Sequence, residues 1–134
     1  IRDRKDETDM AVQDDHMIRN IQDVGRLIAK LLLHEQQPNY TLPENEADYT
    51  EADKLFVTIM KLAEEGKINE AENELYVGMV EDDVDYLELA LTFYLYLNDM
   101  DGDFLDNNGY SREEVLDGMK ELASDWGVTG LEAF

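Results

Sequence analysis

The segment from Leu55 to Leu75 limits the fold of this chain more than any other part of the sequence. Its apolar residues recur at helical spacings on both sides of Gly66, a residue type that commonly ends helices in the left-handed conformation. Asn69 with Glu72 three residues later is typical of a helix start, because each side chain can accept the other residue's backbone N–H. The segment therefore predicts two helices joined by a short turn and packed antiparallel.

The rest of the chain continues the helical periodicity, and no alternating strand pattern competes with it. Residues 14–37 carry an apolar seam at alternating spacings of four and three, which predicts a long first helix of about six turns. Residues 84–98 are apolar nearly all round, which predicts a helix packed on several sides. Ser111 and Glu114 form a capping-box pattern and begin a last helix that ends at Gly127. We expect an all-α fold of about five helices, with antiparallel hairpins in a right-handed array beside the long first helix.

Composition divides the chain into an arm and a domain. Residues 1–13 carry alternating charges and scattered apolar side chains, so we expect a flexible N-terminal arm there. Residues 14–134 have the size of a single helical domain with one core. Cys is absent, so this core must be stable without disulfides or thiolate metal sites. We also expect a cytoplasmic location, because the longest apolar run is about half of what spans a bilayer and no secretory leader opens the chain.

The net charge of −22 is unevenly spread along the sequence. Residues 1–37 hold 6 basic and 8 acidic residues, whereas residues 38–134 hold 5 basic and 25 acidic residues. Nucleic acids and anionic membranes are bound by clustered Lys and Arg, so this balance argues against both as partners. The acidity serves solubility first, and it favours a basic protein partner through electrostatic steering.

An acidic segment, residues 99–114, is the sequence's candidate for a metal site. Asp99, Asp101 and Asp103 alternate as the carboxylates of calcium-binding loops do, and Glu114 could close the site. Neither register of the loop supplies both the turn glycine and the closing acid at the required places. The alternative interpretation is a solvated turn in which Asp, Asn and Gly provide turn conformations.

The sequence carries no catalytic motif. His16 and His34 share one predicted helix but lie about 27 Å apart, so they cannot bind one metal ion. Ser111 is explained as a helix cap, and no Gly-rich phosphate loop is present. We therefore predict no enzyme, no cofactor and no catalytic residue.

Aromatic residues gather on or beside the last three predicted helices. Core packing explains them first, because small helical domains need large side chains to fill their layers. A peptide-binding groove is the second explanation, with rings below the peptide and hydrogen bonds at their tips. Six residues are therefore candidates for partner binding: Tyr76, Tyr86, Tyr94, Tyr96, Tyr110 and Trp126.

Two resemblances follow from these residues. Residues 62–75, LAEEGKINEAENEL, resemble the turn of a tetratricopeptide-type repeat, with Gly at the helix end and Ala on the inner face of the next helix. Residues 14–127, with IRNIQDVGRLIAKLLL and NGYSREEVLDGM, resemble a small uncharacterised bacterial family, a domain of unknown function. This resemblance implies a compact tetratricopeptide-like helical protein and supplies no catalytic residues.

The leading hypothesis is a non-enzymatic protein–protein interaction module. One alternative is a homo-oligomeric structural protein, such as a homodimer, that self-associates through the seam of helix 14–37. A second alternative is a calcium-responsive module built on residues 99–114.

Overall fold

The computed structural model describes the backbone of residues 2–134 and the side chains of residues 15–134. This part of the chain is all-α and contains no strand, as the sequence predicts. Antiparallel helices pack around one core. Six α-helices make up the fold: α1 Arg2–Ile28, α2 Glu51–Glu64, α3 Ile68–Gly78, α4 Val84–Asn98, α5 Gly102–Asn107 and α6 Arg112–Asp125. The sequence predicted about five helices. The additional one is α5, a short helix inside the acidic segment 99–114.

The first helix ends earlier than its periodicity predicts. After α1, one π-helical turn spans Ala29–Leu33, and His34 follows in the left-handed conformation with φ of 58°. The N–H of His34 donates to the Ala29 carbonyl and closes this last turn. The side chains of residues 1–13, the predicted flexible arm, lie outside the described part of the chain. That arm and its boundary with a domain over 14–134 stay predictions.

The apolar seam of α1 is used inside the monomer. Ile21, Val24 and Ile28 have no exposed surface. Burying side chains of this size contributes about 1.5–3 kcal/mol each. A second copy cannot pack against these three residues without opening the fold, whereas Leu31, at the end of the seam proposed for self-association, is 54% exposed.

The α2–α3 hairpin forms where the sequence predicts it. Thr50 caps α2 reciprocally with Asp53: the Asp53 N–H donates to Thr50 Oγ1 at 3.2 Å, and the Thr50 N–H donates to Asp53 Oδ2 at 2.8 Å. Gly66 then adopts φ of 86° and ends the hairpin's first helix. A side chain would fit poorly there, because a Cβ on Gly66 would lie 2.6 Å from Oδ1 of Asn108.

The start of α3 differs from the prediction. The helix begins at Ile68, and no side chain caps it. The predicted capping box of Asn69 and Glu72 is wrong, because tertiary partners take both side chains. The Asn69 side-chain amide donates to the Gly109 carbonyl at 3.2 Å, and the Glu72 carboxylate accepts the hydroxyls of Tyr94 in α4 and of Tyr110 between α5 and α6.

The apolar helix α4 is central, as expected. It packs against α1, α2 and α6. Leu87, Leu89, Leu91 and Phe93 are fully buried on its different sides. Helices with apolar residues all round need such a position. No helix in the described part of the chain is long and apolar enough to cross a bilayer.

Candidate functional site

A cleft of about 590 Å³ lies between α3, the linker that follows it, and the end of α6. We call it the α3–α6 cleft. Five of its lining residues are apolar or aromatic, and three are acidic and exposed. The lining consists of Tyr76, Met79, Val80, Glu81, Asp82, Leu122, Asp125 and Trp126.

The linker side of the cleft takes its shape from two backbone features. Met79 leaves α3 in an extended conformation, and Asp82 turns the chain with φ of 62°, a left-handed value that few residues other than glycine adopt. The side chain of Asp83 then accepts the N–H of Asp85 at 3.0 Å and starts α4. This short acidic linker holds Val80 and Glu81 at the mouth of the cleft.

The other side of the cleft is the last turn of α6. The N–H of Trp126 donates to the Leu122 carbonyl at 3.2 Å, so the tryptophan closes the helix. Gly127 follows with φ of 83° and turns the chain away. The half-buried Trp126 thus lies at the helix end beside Asp125, with Leu122 one turn earlier.

Tyrosine hydroxyls form a network behind the cleft. Tyr94 donates to the Glu72 carboxylate at 2.8 Å, and Tyr110 donates to the same oxygen at 3.0 Å. The hydroxyl of Tyr76 lies 3.3 Å from that of Tyr94. Burial, reinforced by the nearby Glu72 carboxylate, raises the pKa of Tyr94 and Tyr110, so both hydroxyls stay protonated as donors. The network fixes Tyr76 through its tip while its ring stays half exposed.

The six aromatic candidates divide into core and cleft. Tyr86, Tyr94 and Tyr110 are buried in the core at 8%, 1% and 2% exposure. Tyr96 is half-buried and packs against that core. Only two of the candidates meet in the cleft, Tyr76 and Trp126.

Sequence reasoning missed the acidic rim of the cleft. It gave Glu81, Asp82 and Asp125 no role in a site. Nothing in the local sequence indicates that Asp125 lies near residues more than forty positions earlier. The tertiary role of the Glu72 carboxylate was missed in the same way, because its tyrosine partners come from α4 and from the connection before α6.

The acidic segment 99–114 has other uses in the structure. Asp101 accepts the N–H of Asp103 at 2.8 Å and starts α5, and Glu114 accepts the Ser111 N–H at 2.7 Å and starts α6. The candidates Asp99, Asp101, Asp103 and Glu114 thus include two carboxylates engaged as helix caps. In the described part of the chain, no group of three or more Asp, Glu, His or Cys residues could hold a metal ion.

A larger groove of about 910 Å³ lies between α2 and α3 on the outside of the hairpin. Val57 and Leu62 supply its apolar surface, and the remaining lining is charged or polar without any aromatic ring. Aromatic side chains are the usual anchors of protein interfaces. We therefore take the smaller α3–α6 cleft as the candidate site.

Comparison with known proteins identifies the family. The model of a family described as "Family of unknown function (DUF6483)" matches residues 11–127, a range that includes α2 to α6 and most of α1. No curated protein and no solved structure matches the chain. The chain therefore belongs to the Family of unknown function (DUF6483).

Proposed function

We propose that this protein is a non-enzymatic protein–protein interaction module that holds a segment of its partner in the α3–α6 cleft. The observation that carries the proposal is that Tyr76, Trp126 and the exposed Val80 line the same cleft. Tyr76 and Val80 are each 46% exposed, and such apolar surface at the mouth of a cleft is typical of interaction sites. Aromatic residues near the centre of an interface carry much of its binding energy.

The chemistry of the lining supports binding over catalysis. The described lining contains carboxylates and a tyrosine hydroxyl but no histidine, lysine, serine or threonine. Burial raises the pKa of Tyr76, which moves it further from neutral pH, where a general acid or base works best. Elsewhere Ser111 accepts the Glu114 N–H at 3.2 Å as a helix cap, so its hydroxyl has a structural use.

The remaining parts of the proposal concern architecture and context. We place the protein in the bacterial cytoplasm with a tetratricopeptide-like arrangement of its hairpins. The antiparallel α2–α3 pair with Gly66 at its turn supports this arrangement, and the lack of Cys agrees with a reducing compartment. The net charge of −22 supports a protein partner and opposes nucleic acid and anionic membrane.

Two matched substitutions test the proposal. Val80→Arg places a long charged side chain in the cleft, whereas Val77→Arg places it on α3 at a position that is 85% exposed and outside the cleft lining. Tagged wild-type and variant proteins are used to capture partners from lysate of the source organism at low and high salt. Circular dichroism first establishes that both variants are folded.

We expect a partner that wild-type protein and Val77→Arg both retain and that Val80→Arg loses. Equal retention by all three proteins would assign the partner to another surface. Capture of no protein at either salt concentration would also count against the proposal.

A further inference from the structure

The arrangement of charge around the α3–α6 cleft indicates what kind of segment fits it. We infer that the cleft binds a segment with one large apolar side chain between Lys or Arg residues. This inference rests on the proposed function of the cleft and adds the chemistry of the partner. Its basis is the juxtaposition of an aromatic and aliphatic lining with exposed carboxylates on both sides.

The carboxylates come from two different elements. Glu81 and Asp82 belong to the linker after α3, and Asp125 belongs to the last turn of α6. All three are exposed at the cleft. An apolar side chain that enters the cleft therefore brings its sequence neighbours within reach of negative charge from both elements.

Among the described side chains, no ion pair or hydrogen bond joins Glu81, Asp82 or Asp125 at this rim to a basic side chain. Within residues 15–134, the ion pairs join Arg26 with Asp23, Lys54 with Glu51, and Lys67 with Glu65, all away from the cleft. Cations of a partner would supply the missing charge. They would also lie beside the Trp126 ring, whose face attracts Lys and Arg.

A second copy of this chain fits the cleft poorly. Each copy carries a net charge of −22, so two copies repel each other over the separations at which they would meet. Arg19 and Arg26 of α1 and Lys30 of the following π-helical turn are exposed cations, and Arg26 already lies 3.3 Å from Asp23. The charge complementarity therefore favours a different, basic protein.

The size of the cleft agrees with a single anchoring side chain and its flanks. Its 590 Å³ falls within the range of about 300–1,000 Å³ in which protein pockets bury small ligands. A whole helix would need a longer apolar groove, with anchors over two or more turns.

Synthetic peptides test the inference, and Trp126 reports binding. It is the only tryptophan of the chain and lines the cleft, so its fluorescence responds to an occupant. The first peptide has one Leu flanked on each side by two Lys. The second has Glu in place of every Lys, and the third has Ser in place of Leu.

We expect the Lys–Leu peptide to bind at least about tenfold more tightly than either control at low salt. Its advantage over the Glu peptide should shrink as salt screens the charges. Asp125→Lys should weaken binding of the Lys–Leu peptide by about tenfold or more. The fold should stay intact, because a cation in the last turn of α6 interacts favourably with the helix dipole. Asp117→Lys, on the same helix but outside the cleft, is the matched control and should bind like wild type.

Other results would overturn the inference. The Glu peptide could bind as tightly as the Lys–Leu peptide, with Val80→Arg weakening the binding of both. The cleft then binds apolar segments without regard to charge, which overturns the inference and leaves the proposed function in place. If Asp125→Lys binds like wild type, the rim does not recognise cations. If no peptide changes Trp126 fluorescence, the inferred motif is wrong, and partner capture with Val80→Arg still decides the proposed function independently.

Discussion

The guanidinium group of Arg112 donates a hydrogen bond to the backbone carbonyl of Asn98 at the C-terminal end of α4. A second nitrogen of Arg112 donates to the Met100 carbonyl at 2.8 Å, and the Asn98 amide donates to the Ile18 carbonyl of α1 at 3.1 Å. The last carbonyls of a helix lack partners within it and favour a cation nearby. One buried arginine at the start of α6 thus ties the end of α4 in place, and Asn98 extends the link to α1.

Arg112→Met should lower the free energy of unfolding by about 2–4 kcal/mol, because it leaves buried carbonyls without their charged donor. Arg26→Met is the matched control. Arg26 lies on the surface with a 3.3 Å contact to Asp23, so its loss should cost no more than about 1 kcal/mol. Urea denaturation followed by circular dichroism measures both changes. Equal, small effects would show that the buried hydrogen bonds contribute little.

Gly118→Ala should destabilise the protein even though alanine favours helices. A Cβ at Gly118 would lie 2.6 Å from two carbon atoms of the Tyr94 ring. Tyr94 cannot easily move, because it is 1% exposed and its hydroxyl is bound to Glu72. We expect a loss of about 1–3 kcal/mol of stability in thermal or urea unfolding. Ser124→Ala, at an exposed position of the same helix, should stay within about 0.5 kcal/mol of wild type; a similar value for Gly118→Ala would contradict the close contact.

Asp53 should contribute to the loss of stability in acid. The hydroxyl of Tyr40 donates to its carboxylate at 2.5 Å, and the Thr50 N–H donates to the other oxygen. The Tyr40 hydrogen bond, followed by that of Thr50, holds the pKa of Asp53 below its ordinary value. The stabilisation is therefore present above the unfolded-state pKa of about 3.9 and is lost as pH falls through the folded-state value. The Asp53→Asn variant should be less stable than wild type at pH 7, and its free energy of unfolding should decline less steeply as the pH is lowered. Urea titrations at several pH values measure this, and a decline parallel to that of wild type would refute it.

Ionisation of Glu88 should destabilise the fold, in contrast to ionisation of Asp53. Partial burial, followed by the nearby charge of Glu35, raises the pKa of Glu88 in the folded protein. A raised carboxyl pKa makes ionisation unfavourable for the fold, so stability falls as pH rises above about 4.3, the unfolded-state value. Glu88→Gln should therefore stabilise the protein at pH 7 and have little effect near pH 3. Unfolding measured at both pH values checks this, and the same gain at both would contradict it.

Millimolar calcium should leave the melting temperature unchanged relative to an equal ionic strength of sodium chloride. Asp101 and Glu114 are engaged as helix caps in the structure. Asp101→Ala should cost about 1 kcal/mol through loss of the cap, equally with and without calcium. A melting temperature that rises with calcium and no longer rises in Asp101→Ala would instead support the calcium-responsive alternative.

Local signals predicted most of the helical architecture. Ser111 forms the expected capping box with Glu114, and Gly66 and Gly127 adopt the expected left-handed conformations. Each of these signals is complete within a few residues of the chain, so the sequence contains everything needed to recognise it. The capping box at Asn69 failed because a tertiary hydrogen bond to the Gly109 carbonyl replaced the local one.

The candidate site was predictable only in part. Aromatic content indicated Tyr76 and Trp126 but equally indicated Tyr94 and Tyr110, which are buried. The same residue type fills a core or lines a cleft, depending on which helix packs beside it. The acidic rim could not be found from spacing, because Asp125 reaches the cleft only through the packing of α6.

The sequence by itself determined the helices, their main ends and the negative charge, because periodicity, caps and composition are local or additive properties. Only the tertiary structure decided which side chains meet. It buried Ile21, Val24 and Ile28 of α1, directed Glu72 to two tyrosines and placed Tyr76 and Trp126 in the lining of one cleft. The reason is physical: a helix specifies which residues share a face, whereas the packing of one face on another fixes the contacts, and that packing depends on every helix at once.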